Sequence, residues 1–196
     1  MKLTVFHDYI CPFCYITSKN LETLSNVFDL DIEWKGIEIH PEYPGEGQKS
    51  SKSLKSIKTV ESIKGAAKES GTEILLPGFR ANSRLSLEAS EFAKVKNRFK
   101  SFHTLIYEAY FLERKNIGDM KIILETGIEA GLDAAELEDC LNNRAMFHRV
   151  ERNKKDAQSK LVVGVPTLIM GNFPVYGNQS LETLRRMIKR AIQRSS

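Results

Sequence analysis

Near its N-terminus the chain reads Leu3-Thr4-Val5-Phe6-His7-Asp8-Tyr9-Ile10-Cys11-Pro12-Phe13-Cys14, a short apolar run followed by two cysteines three positions apart. The run Lys2–Phe6 predicts a β-strand. From Pro12 to about Phe28 the apolar residues recur at helical spacing, and a proline is tolerated in the first helical turn. The two thiols are therefore predicted to lie where a strand gives way to a helix.

This position favours redox chemistry. A cysteine at a helix N-terminus is stabilised as a thiolate, because unpaired backbone N–H groups and the helix dipole favour negative charge there. The thiolate is the nucleophile of disulfide exchange, and a second thiol one turn later can resolve the mixed disulfide. We predict that Cys11 attacks and that Cys14 resolves.

The same cysteine spacing also occurs in half of a zinc site, which is a non-enzymatic alternative. Tetrahedral zinc needs four ligands, and the sequence has no second close Cys/His pair. We therefore predict no metal site. Cys140 follows the apolar spacing of its own segment and is predicted to be a core residue rather than a catalytic one. His7 precedes the cysteines and is a weaker candidate for influencing the thiolate electrostatically.

Length and composition fit a globular protein with a sizeable core: 196 residues, 41% hydrophobic and 28% charged. No membrane-spanning or secretory segment is evident, and three cysteines are too few for a disulfide framework, so we expect a cytoplasmic protein. The net charge is +4, and lysines are densest in the stretch 49–68. That stretch is not interleaved with aromatic residues, so we predict a solvated face and no nucleic-acid or membrane partner.

The remaining periodicities complete the fold prediction. Asp31–Ile39 alternates as a second strand, so the first forty residues form a βαβ unit. A proline- and glycine-rich loop and a long helical region to about Lys160 follow. Thr167–Met170 and Phe173–Tyr176 then form a hairpin through Gly171-Asn172, and a helix from Ser180 closes the chain. This order predicts an α/β, thioredoxin-like fold in two parts, 1–45 and 161–196, around a large all-helical insertion domain, 46–160.

Several ordered motifs make the chain resemble the DsbA-like thioredoxin superfamily, and within it the cytoplasmic branch of FrnE-type oxidoreductases and 2-hydroxychromene-2-carboxylate isomerases. The motifs are Cys11-Pro12-Phe13-Cys14-Tyr15, the loop Ile39–Gly47, Asn82-Ser83, Tyr107–Phe111, Gly164-Val165-Pro166-Thr167 and Tyr176-Gly177-Asn178-Gln179. The late turn departs from the family's usual Gly-Ala-Gln-Pro, which leaves the role of Gly177-Asn178-Gln179-Ser180 open.

The resemblance implies several site residues. Val165-Pro166 corresponds to the family's cis-proline loop, which faces the dithiol, so Pro166 is included with Cys11 and Cys14 as catalytic. The Val165 backbone is expected to pair with an extended substrate. Pro12 and Phe13, between the cysteines, are expected to contact substrate and to tune the thiolate. DsbA has a histidine where this chain has Phe13, so we predict a Cys11 pKa between those of DsbA and thioredoxin and a less oxidising potential than that of DsbA.

The resulting prediction is a DsbA-family thiol–disulfide oxidoreductase acting on protein or small-molecule disulfides, as a monomer or homodimer. We expect no tightly bound cofactor, with glutathione as a candidate redox partner. The alternative is a glutathione-dependent isomerase or transferase, in which Arg80, Arg84 or the lysines of 49–68 would hold the carboxylates of glutathione. The isomerases resembled typically have a serine where this chain has Cys11, so the pair of cysteines favours disulfide exchange.

Overall fold

The computed structural model describes residues 1–49 and 54–195. Six strands run over Lys2–His7 (β1), Asp31–Gly36 (β2), Gln48–Lys49 (β3), Phe79–Arg80 (β4), Thr167–Met170 (β5) and Phe173–Tyr176 (β6). Eight helices run over Pro12–Ser25 (α1), Leu54–Glu69 (α2), Arg84–Val95 (α3), Phe99–Phe111 (α4), Met120–Glu129 (α5), Ala134–Asn142 (α6), Phe147–Ser159 (α7) and Leu181–Ser195 (α8). The predicted α/β fold class, thioredoxin-like with a helical insertion, is confirmed.

The central sheet has the order β2-β1-β5-β6. β1 pairs in parallel with β2, with Val5 opposite Trp34, as the predicted βαβ unit requires. β1 also pairs antiparallel with β5, and β5 with β6, so the first and last parts of the chain share one sheet. The segment that carries Cys11 and Cys14 leaves this sheet at the carboxyl end of its central strand β1.

Two large apolar clusters hold the molecule together. One lies between the sheet, α1 and α8, and includes Leu3, Val5 and Leu184, all fully buried. The other joins the dithiol region to the helices between the two parts of the sheet, and includes Cys14 and Phe102. Because the second cluster contains both cysteines, the helical part of the chain forms one wall of the dithiol region.

Three predicted boundaries differ from the structure. α1 ends at Ser25 rather than near Phe28, because Asn26 takes the C-cap position. β2 ends at Gly36 rather than Ile39, because the N–H of Ile39 donates to the Asp8 carboxylate at 2.8 Å instead of to a strand. The region predicted as helical throughout contains the two-residue strand β4, which pairs with β3. The domain limits at residues 45 and 160 stay predictions.

The lysine-rich stretch 49–68 lies partly outside the described residues, since Lys52 is not described. Lys49, Lys58, Lys64 and Lys68 are all exposed, in keeping with the solvated face predicted for them. None of the helices in the described part of the chain has both the length and the apolar content that crossing a bilayer requires.

Candidate active site

Cys11 occupies the N-cap position of α1, with extended backbone dihedrals and Pro12 as the first helical residue. The N–H groups of Cys14 and Tyr15 both donate to its carbonyl oxygen, at 3.0 and 3.2 Å. The Cys11 N–H donates to the carbonyl oxygen of Asp8 at 3.2 Å, which fixes the turn between strand and helix. The Cys11 side chain therefore projects at the positive end of the helix dipole.

The two thiols differ in environment and in acidity. Hydrogen bonds from the Cys14 thiol and from the Cys14 and Phe13 backbone N–H groups lower the pKa of Cys11, against the opposing effects of burial and of Asp8. Cys14 is 1% exposed, and burial together with the neighbouring Cys11 raises its pKa. Cys11, at 7% exposed, is the more accessible of the two. Cys11 is thus the more exposed and the more acidic thiol, and Cys14 the more buried and the less acidic one.

The loop before β5 lies against this pair. The Val165–Pro166 peptide bond is cis, and the Cys11 Sγ lies 3.7 Å from the Val165 carbonyl oxygen. The hydroxyl of Thr167 donates to the Gly164 carbonyl at 2.6 Å, and the N–H of Gly177 donates to the Pro166 carbonyl at 2.8 Å. The loop is thus held from both sides, and within the described residues the Val165 N–H makes no hydrogen bond of its own.

The late turn, residues 177–180, whose role the sequence left open, is hydrogen-bonded to α1. The Thr17 hydroxyl donates to the Asn178 side chain at 3.1 Å, and the Asn20 side chain donates to the Gln179 carbonyl at 3.3 Å. Asn178 therefore fixes the position of the loop carrying Pro166 relative to the helix carrying the cysteines. The sequence motif pointed to this turn, but not to the contact.

Asp8 is a buried carboxyl group that the sequence reasoning missed. It is fully buried, and its two oxygens accept the N–H groups of Ile39 at 2.8 Å and Ile10 at 3.3 Å. Burial raises its pKa to about 6, in spite of these hydrogen bonds. Its charge in turn acts to raise the pKa of both thiols. An acidic residue at the end of an apolar strand, three positions before Cys11, was the available signal.

Behind Asp8 lies a buried cluster of histidine and tyrosine rings. The Tyr107 hydroxyl donates to the Asp8 carbonyl at 3.3 Å and also lies 3.2 Å from His7 Nδ1. His103 lies between Tyr9 and Ser18, with each hydroxyl 3.1 Å from one ring nitrogen. Burial lowers the pKa of His103 to about 3 and that of His7 well below its usual value. Both rings are therefore neutral near pH 7, so His7 brings no positive charge to the thiolate.

The other candidate residues are the two between the cysteines and the two arginines. Pro12 and Phe13 are half-buried beside the cysteines. Arg80 is exposed, and its guanidinium lies 2.8 Å from the Tyr43 hydroxyl. Arg84 is less available, because it forms an ion pair with Glu38 at 2.8 Å. Cys140 is 7% exposed and belongs to the same large apolar cluster as Leu137 and the two dithiol cysteines, as expected for a core residue.

Within the described residues, no three His, Cys, Asp or Glu side chains come together in a group that could hold a metal ion.

Comparison with solved structures gives three close folds. SCO1869 of Streptomyces coelicolor, described as a probable DsbA oxidoreductase, superposes with a TM-score of 0.86 at 20% identity over 98% of this chain and 90% of its own. A 2-hydroxychromene-2-carboxylate isomerase gives 0.83 at 19% identity over 100% and 98%. The cytosolic disulfide reductase DsbM of Pseudomonas aeruginosa, solved with glutathione, gives 0.75 at 17% identity over 98% and 100%. At these identities the similarity shows only that this chain shares their fold.

The sequence itself gives the family. Residues 2–189 match the DSBA-like thioredoxin domain, which is nearly the whole chain and includes both cysteines and the loop with Pro166. The resemblance inferred from the motifs is therefore confirmed, and the chain belongs to the DSBA-like thioredoxin domain family, whose members include oxidoreductases and isomerases.

Proposed function

We propose that the protein is a cytoplasmic thiol–disulfide oxidoreductase that works through Cys11 and Cys14. The observation that carries this proposal is the pairing of a Cys11 thiol of lowered pKa with a buried Cys14 thiol of raised pKa, at the start of one helix. A zinc site or a purely structural pair of cysteines does not require that asymmetry, whereas disulfide exchange uses both halves of it.

The exchange has two steps. The Cys11 thiolate attacks one sulfur of a substrate disulfide, so that a Cys11–substrate bond forms, the substrate S–S bond breaks and one substrate thiolate leaves. Cys14 then loses its proton and attacks Cys11 Sγ, which forms the Cys11–Cys14 disulfide and releases the second thiolate. The substrate gains two electrons and the dithiol loses two. Run in reverse, the same steps oxidise a substrate dithiol.

The buried Asp8 carboxyl group is suited to take up the Cys14 proton. A carboxyl group whose pKa is about 6 is mostly ionised at pH 7 yet is a much stronger base than an ordinary aspartate. It raises the pKa of Cys14, so Cys14 keeps its proton until the mixed disulfide removes the negative charge from Cys11. We therefore give Asp8 the role of proton acceptor in the second step.

Substrate recognition is expected on the surface around Cys11. The free Val165 N–H and its carbonyl 3.7 Å from Cys11 Sγ offer an extended chain one donor and one acceptor beside the sulfur to be attacked. The half-buried Pro12 and Phe13 side chains, between the two cysteines, supply apolar contact. Glutathione is a short extended peptide, so the same surface suits both protein segments and glutathione disulfide.

In a reducing compartment the thiol pool keeps such a dithiol reduced, which favours the reductase direction. Two glutathione molecules would then return the Cys11–Cys14 disulfide to two thiols and leave as glutathione disulfide. The structurally similar DsbM is named a cytosolic disulfide reductase and was solved with glutathione, which supports this direction and location for the present chain.

The deciding experiment is an equilibrium titration of the dithiol against glutathione buffers, read by thiol trapping and mass spectrometry. We expect one two-electron transition between the dithiol and the Cys11–Cys14 disulfide, whose midpoint gives the direction of exchange in the cell. The Cys14→Ser variant is expected to accumulate glutathione on Cys11, and Cys140→Ser to behave as the parent. If Cys11 and Cys14 formed no disulfide at any ratio of reduced to oxidised glutathione, the proposal would be overturned.

A glutathione-dependent isomerase is the second candidate, favoured by the 0.83 TM-score with 2-hydroxychromene-2-carboxylate isomerase over both full chains. The Cys11→Ser variant distinguishes the two candidates. If the protein is an isomerase that binds reduced glutathione non-covalently, calorimetry still detects glutathione binding to this variant. If it is an oxidoreductase, the variant loses all disulfide exchange.

A further inference from the structure

A cavity separate from the dithiol lies between β2, the junction of α3 with α4, and α7. It has a volume of about 770 Å³, within the range of about 300–1,000 Å³ typical of small-molecule sites. Cys11, Cys14 and Pro166 are not among its lining residues. The cavity therefore needs an explanation that the proposed disulfide exchange does not give.

The wall of the cavity contains two aromatic side chains that are held in place from behind. Trp34 and Phe99 are both half-buried and line the cavity. Their rings lie 4.3 and 4.9 Å from the buried ring of His103. His103 is itself fixed by the hydroxyls of Tyr9 and Ser18. Lys94 Nζ lies over the Phe99 ring, 5.1 Å from its centroid. Trp34 therefore gives this wall an indole ring, held in place from behind, on which a planar ring system can stack.

The carboxylates around the cavity are already neutralised. Glu91 pairs with Lys94 at 2.6 Å, and Lys35 pairs with both Asp156, at 2.6 Å, and Glu33, at 3.2 Å. Lys94 Nζ also donates to the Trp34 carbonyl at 2.6 Å, which satisfies part of the edge of β2. These groups build the wall and leave no unpaired negative charge to repel an anion.

Three further cations line the same cavity without such partners. Lys100, Arg149 and Arg152 have no carboxylate within 4.0 Å among residues 1–49 and 54–195. Arg149 and Arg152 are three positions apart on α7, a spacing that places their side chains on one face of the helix. Asn153, next on that face, also lines the cavity. Arginine pairs with phosphate or carboxylate through two parallel hydrogen bonds, so this face suits an anionic group.

We propose that this cavity binds a small ligand that joins a planar ring system to a phosphate or carboxylate group. The ring stacks on Trp34, and the anionic group lies against Arg149 and Arg152, with Lys100 adding charge. A small molecule is favoured over a nucleic acid or an acidic protein segment because the cavity volume, about 770 Å³, is that of a small-molecule site. This site goes beyond the proposed disulfide exchange and does not depend on it.

The sequence provides a direct probe, because Trp34 is the only tryptophan of the chain. We would titrate the reduced protein with ADP, as a ring joined to phosphates, and follow Trp34 fluorescence. The expected result is a saturable change in emission that inorganic pyrophosphate reverses by competition. In the Arg149→Gln/Arg152→Gln variant the Kd for ADP is expected to rise about tenfold or more, as the loss of charge-assisted hydrogen bonds implies.

The matched control is Lys154→Gln, which removes one positive charge from an exposed residue of the same helix that does not line the cavity. Its Kd for ADP should equal that of the parent, and Cys11→Ser should also bind normally, since the dithiol is elsewhere. Calorimetry of the parent and of Trp34→Phe checks binding without fluorescence. The proposal is overturned if neither method detects ADP binding, if the double variant binds as tightly as the parent, or if adenosine binds as tightly as ADP.

Discussion

The Sγ of Cys11 lies 3.7 Å from the carbonyl oxygen of Val165, across 154 positions of sequence. A thiol can donate a hydrogen bond to this carbonyl, but a thiolate cannot, so the contact by itself favours the protonated form. The pKa of Cys11 is nevertheless lowered, because the Cys14 thiol and the backbone N–H groups of Cys14 and Phe13 stabilise the thiolate. The acidity of Cys11 is thus set by donors that the first turn of α1 supplies.

Adding one more donor at this turn should strengthen the effect. In the Phe13→His variant an imidazole replaces the half-buried phenyl ring beside Cys11. We expect a lower Cys11 pKa, with a thiolate-to-thiol ratio about tenfold higher at a given pH, and a more oxidising dithiol. The thiolate absorbance measured against pH and the glutathione equilibrium give the two values. Phe13→Leu, which adds neither charge nor donor, should leave both unchanged, and an equal shift in the leucine variant would contradict the reasoning.

Asp8 gives a prediction in which stability and thiol acidity change together. Its pKa in the folded protein is about 6, above the ordinary value of 3.8. The folded state therefore holds this proton more tightly than the unfolded state, so ionisation reduces stability as the pH rises from about 4 to about 6, by up to about 3 kcal/mol. In Asp8→Asn this loss disappears, and the pKa values of both thiols fall because a neighbouring negative charge is gone.

The measurement is urea unfolding of the reduced Asp8→Asn variant and the parent at pH 4 and pH 8. From pH 4 to pH 8, the free energy of unfolding of the variant should rise relative to that of the parent. Its second exchange step should slow, because the proton acceptor proposed for Cys14 is removed. Asp29→Asn, at an exposed position, is the control and should change neither property. A variant whose stability relative to the parent is the same at both pH values would contradict the raised Asp8 pKa.

Much of the fold could be predicted because its signals are local. The hairpin of β5 and β6 was predicted with both strands in place, since Gly171-Asn172 separates two short β-like runs and Gly171 has a φ of +62°. The start of α1 followed in the same way from Pro12. The family assignment came from short motifs in order along the chain, and the match over residues 2–189 confirms it.

The missed features depend on contacts between distant residues. The pairing of β3 with β4 joins two-residue segments some thirty positions apart, which no periodicity reveals. The binding of Asn178 by Thr17 spans 161 positions. The burial of Asp8 depends on the N–H of Ile39, which the sequence pattern had placed in a strand. The roles of Cys11, Cys14, Pro12, Phe13, Val165 and Pro166 stay predictions that the experiments above address.

The buried histidines predict a loss of stability in acid. Burial lowers the folded-state pKa of His103 to about 3, whereas in the unfolded chain it is near 6.5. The stability that the neutral ring provides is therefore present above pH 6.5 and is lost as the pH falls below that value, at about 1.4 kcal/mol per pH unit. His103→Gln keeps a donor and an acceptor near Tyr9 and Ser18 but cannot titrate. Between pH 7.5 and pH 5 the variant should lose about 2 kcal/mol less than the parent in urea unfolding.

His148, which is exposed, provides the control for this series. His148→Gln should follow the pH dependence of the parent, because its replacement leaves the buried cluster intact. If His103→Gln also followed the parent between pH 7.5 and pH 5, His103 would not be the group that takes up the proton on unfolding.

The ion pair between Arg144 and Glu88 is expected to contribute more than the surface pairs. The Glu88 side chain is 1% exposed, and the Arg144 guanidinium contacts both of its oxygens, at 2.6 to 3.1 Å. Arg144→Met leaves a buried carboxylate without its partner. We expect a loss of about 2–3 kcal/mol, less than for a fully buried pair because Arg144 is itself 42% exposed.

The double variant Glu88→Gln/Arg144→Met tests the cause, since it removes the unpaired charge and should recover part of the loss. Lys121→Met is the matched control: its ion pair with Glu125 spans 4.0 Å between exposed side chains, and its loss should stay below about 0.5 kcal/mol. Denaturant unfolding at pH 7.5 measures all three variants. If Arg144→Met and Lys121→Met lost equal stability, burial of Glu88 would not set the energy of the pair. If the double variant were no more stable than Arg144→Met, the loss would come from the packing of the arginine stem instead.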